Sequence, residues 1–291
     1  MSGTLLDLSA VTLLCVETRD PALAHFAIQK CTDQARFNRV VLITDLAKLG
    51  NPLKNSLSNP RDKQEITQGV ERLHGIEYVQ APPIKTTKDY SNFLLTGLRQ
   101  YVSSSHVLII QWDSFIIHPE LWTDDYLKYD YIGAVWPHHP KTPVGNGGFS
   151  LRSVKLLDAL LSPQVPKRHP EDICICIDNR ERLEKEFDIR FAPTAVAEKF
   201  AVERGDWYPA FGFHGFFNFA RALNHEQLSH FLGILPDEYL GAVDTYDLIN
   251  DLLSNKGNYA VANTIYKKTK FTWKMRRQYI HTFFKLIFRK N

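Results

Sequence analysis

The sequence predicts an α/β protein with a mixed, mostly parallel sheet flanked by helices. Three observations carry that expectation. Short runs rich in branched apolar residues recur at strand length, helical segments of ten or more residues separate several of them, and several runs end in acids or hydroxyls. Sheets wound in this way collect ligands at the carboxyl ends of their strands.

The elements follow in order. Val11 to Thr18 (VTLLCVET) reads as a strand with a polar end, Pro21 to Thr32 as a helix entered at a proline, and Arg39 to Asp45 (RVVLITD) as a second strand. A polar loop (NPLKNSLSNPRDKQE) and a short helix ending near Leu73 lead to a third strand at Ile76 to Val79. Asp89 to Val102 is predicted helical, with apolar positions at Phe93, Leu94, Leu98, Tyr101 and Val102. Then comes HVLIIQWDSFIIHP, His106 to Pro119, where two apolar runs flank Gln111-Trp112-Asp113-Ser114. A buried strand does not carry a carboxylate at its end without a reason. Downstream, Tyr129 to Trp136 (YDYIGAVW) is expected as a strand, VGNGGFSLR as a glycine loop entering a short strand, and SVKLLDALL as a helix. ICICIDNRERLEKEF is helical in length and composition, and Leu223 to Leu232 and Asp237 to Asn255 read as further helices.

Composition narrows the classes. With 291 residues, 44% apolar and 23% charged, the chain can bury a large core as an ordinary globular protein. No apolar run reaches about 18 uncharged residues, and MSGTLLDLSA lacks the layout of a signal peptide, so a cytoplasmic site of action is expected. Cys15, Cys31, Cys174 and Cys176 lie within apolar patterns and read as buried thiols. Neither G-x-G-x-x-G nor G-x-x-x-x-G-K-[ST] occurs, so a dinucleotide or P-loop site is not supported.

Charge is divided unevenly. Lys267 to Asn291 holds nine Lys or Arg and no acid, which leaves 26 basic and 32 acidic side chains, a balance of −6, in the preceding 266 residues. This tail interleaves its cations with aromatic residues, and Tyr279, Phe283, Ile287 and also Phe284 and Ile280 fall on one helical face. It reads as an interfacial helix for an anionic membrane surface or as a terminal helix packed on the core. Nucleic acid is not an expected partner, because nothing elsewhere resembles a recognition module.

Four local patterns can carry chemistry, each with a plain structural reading beside it. Asp113 at a strand end can hold a diphosphate through a divalent metal, or cap a turn. Gly145-Asn146-Gly147-Gly148 brings backbone close to a ligand, or makes a tight turn. Glu171-Asp172 at a helix start offers an aimed general base, or satisfies the helix dipole. His214, in FGFHG, is a ligand position or a hydrogen-bonded core residue.

In order, type and spacing, the strand-end acid of Gln111-Trp112-Asp113, the GNGG loop, the Glu171-Asp172 pair and the late His214 resemble the recurrent motifs of GT-A fold glycosyltransferases. More narrowly, QWDSFIIHPELW, YDYIGAVWP, VGNGGFSLRS and PEDICIC are similar to a bacterial and fungal family of glycosyltransferases known mainly by its sequence pattern, and the resemblance spans roughly residues 10 to 220. It implies that Asp113 coordinates a Mn²⁺ or Mg²⁺ bridging the donor diphosphate, with His214 as the second protein ligand. Gln111 stands where the family carries an acid. Glu17, Thr18, Arg19, Tyr90, Gln111 and Trp112 would meet the nucleotide sugar. Asn146, Gly147 and Gly148 would lie under donor sugar and acceptor, and Asp172 would be the base that deprotonates an acceptor hydroxyl, with Glu171 beside it.

The expected organisation is a GT-A domain over 1–266, with a nucleotide half at about 10–115 and an acceptor half at about 116–266, followed by the basic tail at 267–291. The activity implied is transfer of a sugar from a nucleotide-diphosphate donor to a glycan or lipid-linked acceptor, with inversion. A retaining transferase and a non-catalytic nucleotide-sugar or glycan-binding module are the alternatives. Gln111 favours the last.

Overall fold

The computed structural model describes residues 4–49, 73–254 and 258–288. The polar loop after the second strand and the short helix expected to end near Leu73 lie outside them. Two compact units divide the chain, residues 1–213 and 214–291.

The first unit is built on a six-stranded sheet. Its strands are β1 (Leu6–Val16), β2 (Ala35–Thr44), β3 (Glu77–Gln80), β4 (His106–Ile110), β6 (Tyr131–Ile132) and β7 (Phe149–Ser153), in the spatial order β3-β2-β1-β4-β7-β6; β5 (Ser114–Ile116) belongs to a smaller sheet. Three pairings are parallel, β1 with β2, β1 with β4 and β2 with β3, and two are antiparallel, β4 with β7 and β7 with β6. The parallel strands are covered on both faces, which is why they read as unbroken apolar runs. On one face Leu14, Val16, Val41, Ile43, Val107 and Ile109 pack with Phe93, Leu94 and Leu98 in a single cluster. The alternate residues Leu13, Cys15, Leu42, Leu108 and Ile110 are also fully buried. All four cysteines are buried free thiols, as expected.

Helix starts follow their caps. α1 (Pro21–Thr32) begins at a proline, behind Asp20, whose carboxylate accepts from Ala22 N. α2 (Thr87–Thr96) starts two residues before the predicted Asp89, because Thr86 and Asp89 form a reciprocal capping box, and it stops at Gly97; Arg99–Tyr101 is a separate 3₁₀ turn. α3 (Val154–Leu161) is capped by Ser153. The helix expected from ICICID onward is interrupted. A turn at Glu171–Ile173 passes into a π-helical turn, Cys174–Asp178, where Asn179 Nδ2 donates to Cys174 O at 2.9 Å and Pro166 O at 3.0 Å; α4 (Arg180–Phe187) then resumes. After α5 (Thr194–Phe200), the short β8 (Ala201–Val202) and β9 (Gly212–His214) join β5 in a three-stranded sheet ordered β5-β9-β8. The strand expected over Tyr129 to Trp136 is reduced to β6 and an isolated bridge from Val135 to Val144.

α1 docks on the sheet edge through His25, whose Nε2 lies 3.0 Å from the Tyr78 hydroxyl on β3. Burial lowers this imidazole from 6.5 to about 4. A histidine depressed in this way stabilises the fold above its unfolded pKa, and that stability is lost as pH falls from about 6.5 to about 4. Urea unfolding should therefore show a fall of about 3 kcal/mol across this window from His25 alone, and His25→Phe should flatten it. An equal pH dependence in the variant would show that His25 does not titrate in the fold.

The second unit is helical. After a short turn at Phe219–Ala222 come α6 (His225–Ile234), α7 (Val243–Ser254), α8 (Tyr259–Lys268) and α9 (Arg276–Phe288). α6 carries an Asn224–Gln227 capping box, and α7 buries Tyr246, Leu248, Ile249, Leu252 and Leu253. Arg221 reaches the largely buried Asp251 at 3.1 Å. No helix among the described residues is long and apolar enough to cross a membrane.

Candidate active site

The chain runs from β1 through β2 to β3 on one side, then returns across to enter β4 on the other side of β1. Loops leaving β1 and β4 therefore diverge, and a crevice opens at their carboxyl ends. A cleft of about 340 Å³ lies there, lined by Val16, Glu17, Thr18 and Arg19 after β1, by Ile84 to Thr87 and Tyr90 at the head of α2, and by Gln111 and Trp112 after β4. Six of the sequence-predicted donor residues, Glu17, Thr18, Arg19, Tyr90, Gln111 and Trp112, are thus brought to one cleft. Lys85, Thr86 and Thr87 are additions that the sequence reading passed over. The T-x-x-D capping pattern was the available signal, since it sets a helix N-terminus at this edge.

The loop after β1 is held by its own side chains. Glu17 is buried, and its Oε1 accepts from Arg19 N at 2.7 Å and Asp20 N at 3.2 Å. Burial raises this carboxyl above its usual range against the pull of those two amides. Lys48 Nζ donates to Thr18 O at 2.9 Å and Arg19 O at 2.6 Å, tying the loop to the turn that follows β2.

QWDS is not a strand. Ser114 N donates to Gln111 O at 3.2 Å and closes a tight turn with Trp112 and Asp113 at its centre, so β4 ends at Ile110 and the second apolar run starts β5 in the smaller sheet. Gln111 N donates to Gly148 O at 3.0 Å, and Ser114 Oγ donates to the same carbonyl at 2.7 Å. Turn and glycine loop are thereby fastened together. Gln111 Nε2 donates to the Tyr90 hydroxyl at 3.0 Å, and burial raises the Tyr90 phenol well above its ordinary value.

In the glycine loop the left-handed residue is Asn146, at φ 66°, not a glycine. Its Oδ1 accepts from Gly148 N at 2.9 Å and Phe149 N at 3.3 Å, an Asx arrangement that makes this conformation affordable for Asn. Gly147 is required by close approach, because a Cβ there would meet Glu171 Oε1 at 2.0 Å.

Beneath the loop lies a charged pair. Arg152, fully buried on β7, places Nη2 3.3 Å from Oε1 of the buried Glu171, donates through Nε to Ser150 Oγ at 3.1 Å, and sits 5.4 Å over the Tyr131 ring. Tyr131 donates to Asn146 O at 3.0 Å, and Ser91 on α2 lies 2.7 Å from His169 Nδ1 and 3.5 Å from Glu171 Oε2. Burial raises the Glu171 carboxyl, and Arg152 draws it back. Asp172 is half-buried, and its Oδ1 accepts from Ile173 N at 2.8 Å. Of the residues at the PED turn, Glu171 is committed to the fold of the site, whereas Asp172 stands at its surface. Arg152, Ser91 and Tyr131 escaped the sequence reading; an arginine inside the strand run FSLRS was the one visible sign.

Asp113 lies in the first unit, and His214 ends β9 and opens the second, followed by Gly215 at φ 103°. Among the described residues, no group of three or more His, Cys, Asp or Glu side chains gathers as a metal site. An ion held mainly by substrate phosphates needs only one or two protein carboxylates, and Asp113, beside the cleft residue Trp112, fits that mode rather than a permanent cage.

A family model described as "Protein of unknown function (DUF5672)" matches residues 74–214. No curated protein matches the chain. Among solved structures it is similar to glucosyl-3-phosphoglycerate synthase from Mycobacterium tuberculosis, in complex with Mn²⁺, UDP and glucosyl-3-phosphoglycerate (14% identity, TM-score 0.37, 62% of this chain and 68% of that one). It is also similar to the mannosyltransferase PcManGT from Pyrobaculum calidifontis, in complex with GDP-Man and Mn²⁺ (10% identity, TM-score 0.40, 97% of this chain and 86% of that one). A third is the glycosyltransferase GlyE of Streptococcus pneumoniae TIGR4 (11% identity, TM-score 0.40, 94% of this chain), of which the chain spans 63%.

Proposed function

We propose that the protein is a GT-A type glycosyltransferase that moves a sugar from a nucleotide-diphosphate donor to a hydroxyl of a glycan or lipid-linked acceptor, with inversion. The observation that carries the reading is the cleft at the crossover between β1 and β4, where Glu17, Thr18, Arg19, Tyr90, Gln111 and Trp112 meet. The nucleotide would enter between the β1 loop and the head of α2, with Thr18 and Tyr90 as polar contacts. Arg19 and Lys85 are the cations of the cleft lining and would neutralise part of the diphosphate charge. Asp113 is the proposed protein holder of a Mn²⁺ or Mg²⁺ ion, which would supply Lewis-acid stabilisation of the leaving diphosphate.

The chain's own residues then divide the work. Gln111 fastens the Asp113 turn to Tyr90 and to the glycine loop. The Gly147 and Gly148 backbone would lie under sugar and acceptor, kept there by Asn146 and the Glu171–Arg152 pair. Asp172 accepts the acceptor hydroxyl proton as that oxygen bonds to the anomeric carbon and the bond to the diphosphate breaks.

A thermal-shift screen of nucleotide sugars, with and without Mn²⁺, tests the reading. The right donor at about 100 times its Kd should add roughly 2.7 kcal/mol of stability. Asp113→Ala should abolish the Mn²⁺-dependent part. If no nucleotide sugar raises Tm, the cleft is not a donor site. Stabilisation without any hydrolysis or transfer in Mn²⁺ would favour the non-catalytic binding module.

A further inference from the structure

We infer that the outer face of α9 is a docking surface for an anionic phospholipid membrane, a property separate from the transfer reaction and resting on different residues. Among the described residues ten large apolar side chains are exposed, and seven of them, Phe271, Trp273, Ile280, Phe283, Phe284, Ile287 and Phe288, lie within this short C-terminal stretch. Such concentration is not the usual scatter of apolar residues over a surface.

The helix already has an inner side. Met275, Thr282 and Leu286 are buried at helical spacing, and the half-buried Tyr279 packs its ring on Tyr266, tilted by 36° at 4.7 Å between ring centroids. Packing of the terminal helix is therefore met by that narrow stripe. With 3.6 residues per turn, Ile280, Phe283, Phe284, Ile287 and Phe288 share a second face that points away from it. Phe284 and Phe288 stack there, and Trp273, 77% exposed, stands with Phe271 just before the helix. Tyr279 is the one member of the sequence-predicted face that is half-buried; Ile280, Phe283, Phe284 and Ile287 are exposed.

Charge selects the partner. The exposed aromatic face lies in a segment with nine Lys or Arg and no acid, on a chain whose other 266 residues sum to −6. Lys267, Lys270, Lys274, Arg276 and Arg277 are all exposed and make no ion pair among the described residues. A second copy of this chain would set those cations against one another. An anionic lipid surface instead attracts each of them while aromatic and branched side chains enter the headgroup boundary.

The test is co-sedimentation of the full chain with phosphatidylcholine vesicles with and without phosphatidylserine, at low and high salt. Binding is expected to the phosphatidylserine vesicles and to weaken as salt rises. Arg276→Glu/Arg277→Glu should weaken it by at least about 25-fold, about fivefold per lost cation. Phe283→Ser/Phe284→Ser/Ile287→Ser should weaken it by at least about tenfold. All five substituted side chains are exposed, so both variants should melt like the parent. In the unmodified protein, dibrominated lipid should quench tryptophan fluorescence, and the quenching should shrink in Trp273→Phe. Unchanged binding in both variants, no binding to phosphatidylserine vesicles, or tight binding to duplex nucleic acid without vesicle binding would each overturn the inference. So would a dimer that the triple substitution converts to monomer.

Discussion

Asp172→Asn is expected to lower sugar transfer about 10²- to 10⁴-fold while leaving donor-induced stabilisation intact. Asn keeps the size of the side chain and an oxygen able to accept from Ile173 N, so the turn at Glu171–Ile173 should survive. What disappears is the basic oxygen that takes the acceptor proton. The comparison that isolates this role is turnover against Tm shift with the same nucleotide sugar. Near-normal turnover would remove Asp172 as the base and make a retaining mechanism the better account, and the product anomer, read by NMR, separates the two outcomes.

The second large effect is on stability. Arg152→Met should cost about 3 to 5 kcal/mol, because it leaves the Glu171 carboxylate buried and unpaired beneath Gly147. In a chain of this size that is roughly 10 °C in Tm. Adding Glu171→Gln should recover part of the loss, since the stranded charge is then gone. Strict additivity of the two substitutions would mean that the pair is not coupled, and a loss below about 1 kcal/mol would mean that Arg152 is not holding a buried charge. Because Gly147, Asn146 and Tyr131 rest on the same pair, the partly rescued double variant should still transfer sugar poorly.

Much of the first unit was legible because its signals are local. Pro21 marks a helix start, the apolar runs around Leu13, Leu42 and Leu108 mark strands, and the polar side chains of Glu17, Thr18 and Gln111 mark strand ends. The chain order then brings those ends to one crevice. Arg152 was not legible. Phe149, Leu151 and Ser153 alternate with Ser150 and Arg152 as they would in a strand with one solvated face, yet all five are buried. Nothing within the strand says that a turn 19 residues further along the chain supplies Glu171, or that Ser91 of α2 closes over it.

Sequence alone determined the alternation of strands and helices, the polar residues at the ends of β1 and β4, the buried thiols and the segregation of positive charge into the last 25 residues. These depend on composition and on periods of two and 3.6 residues, which any stretch of chain carries within itself. Tertiary structure alone decided that QWDS is a turn joining two sheets, that β7 runs antiparallel beside β4, that Asn146 rather than a glycine takes the left-handed position, that Glu171 faces Arg152, and that α9 keeps one stripe inside and leaves an aromatic face outside. Each of these turns on which distant segment covers a side chain, and burial by a partner far along the chain leaves no period in the sequence.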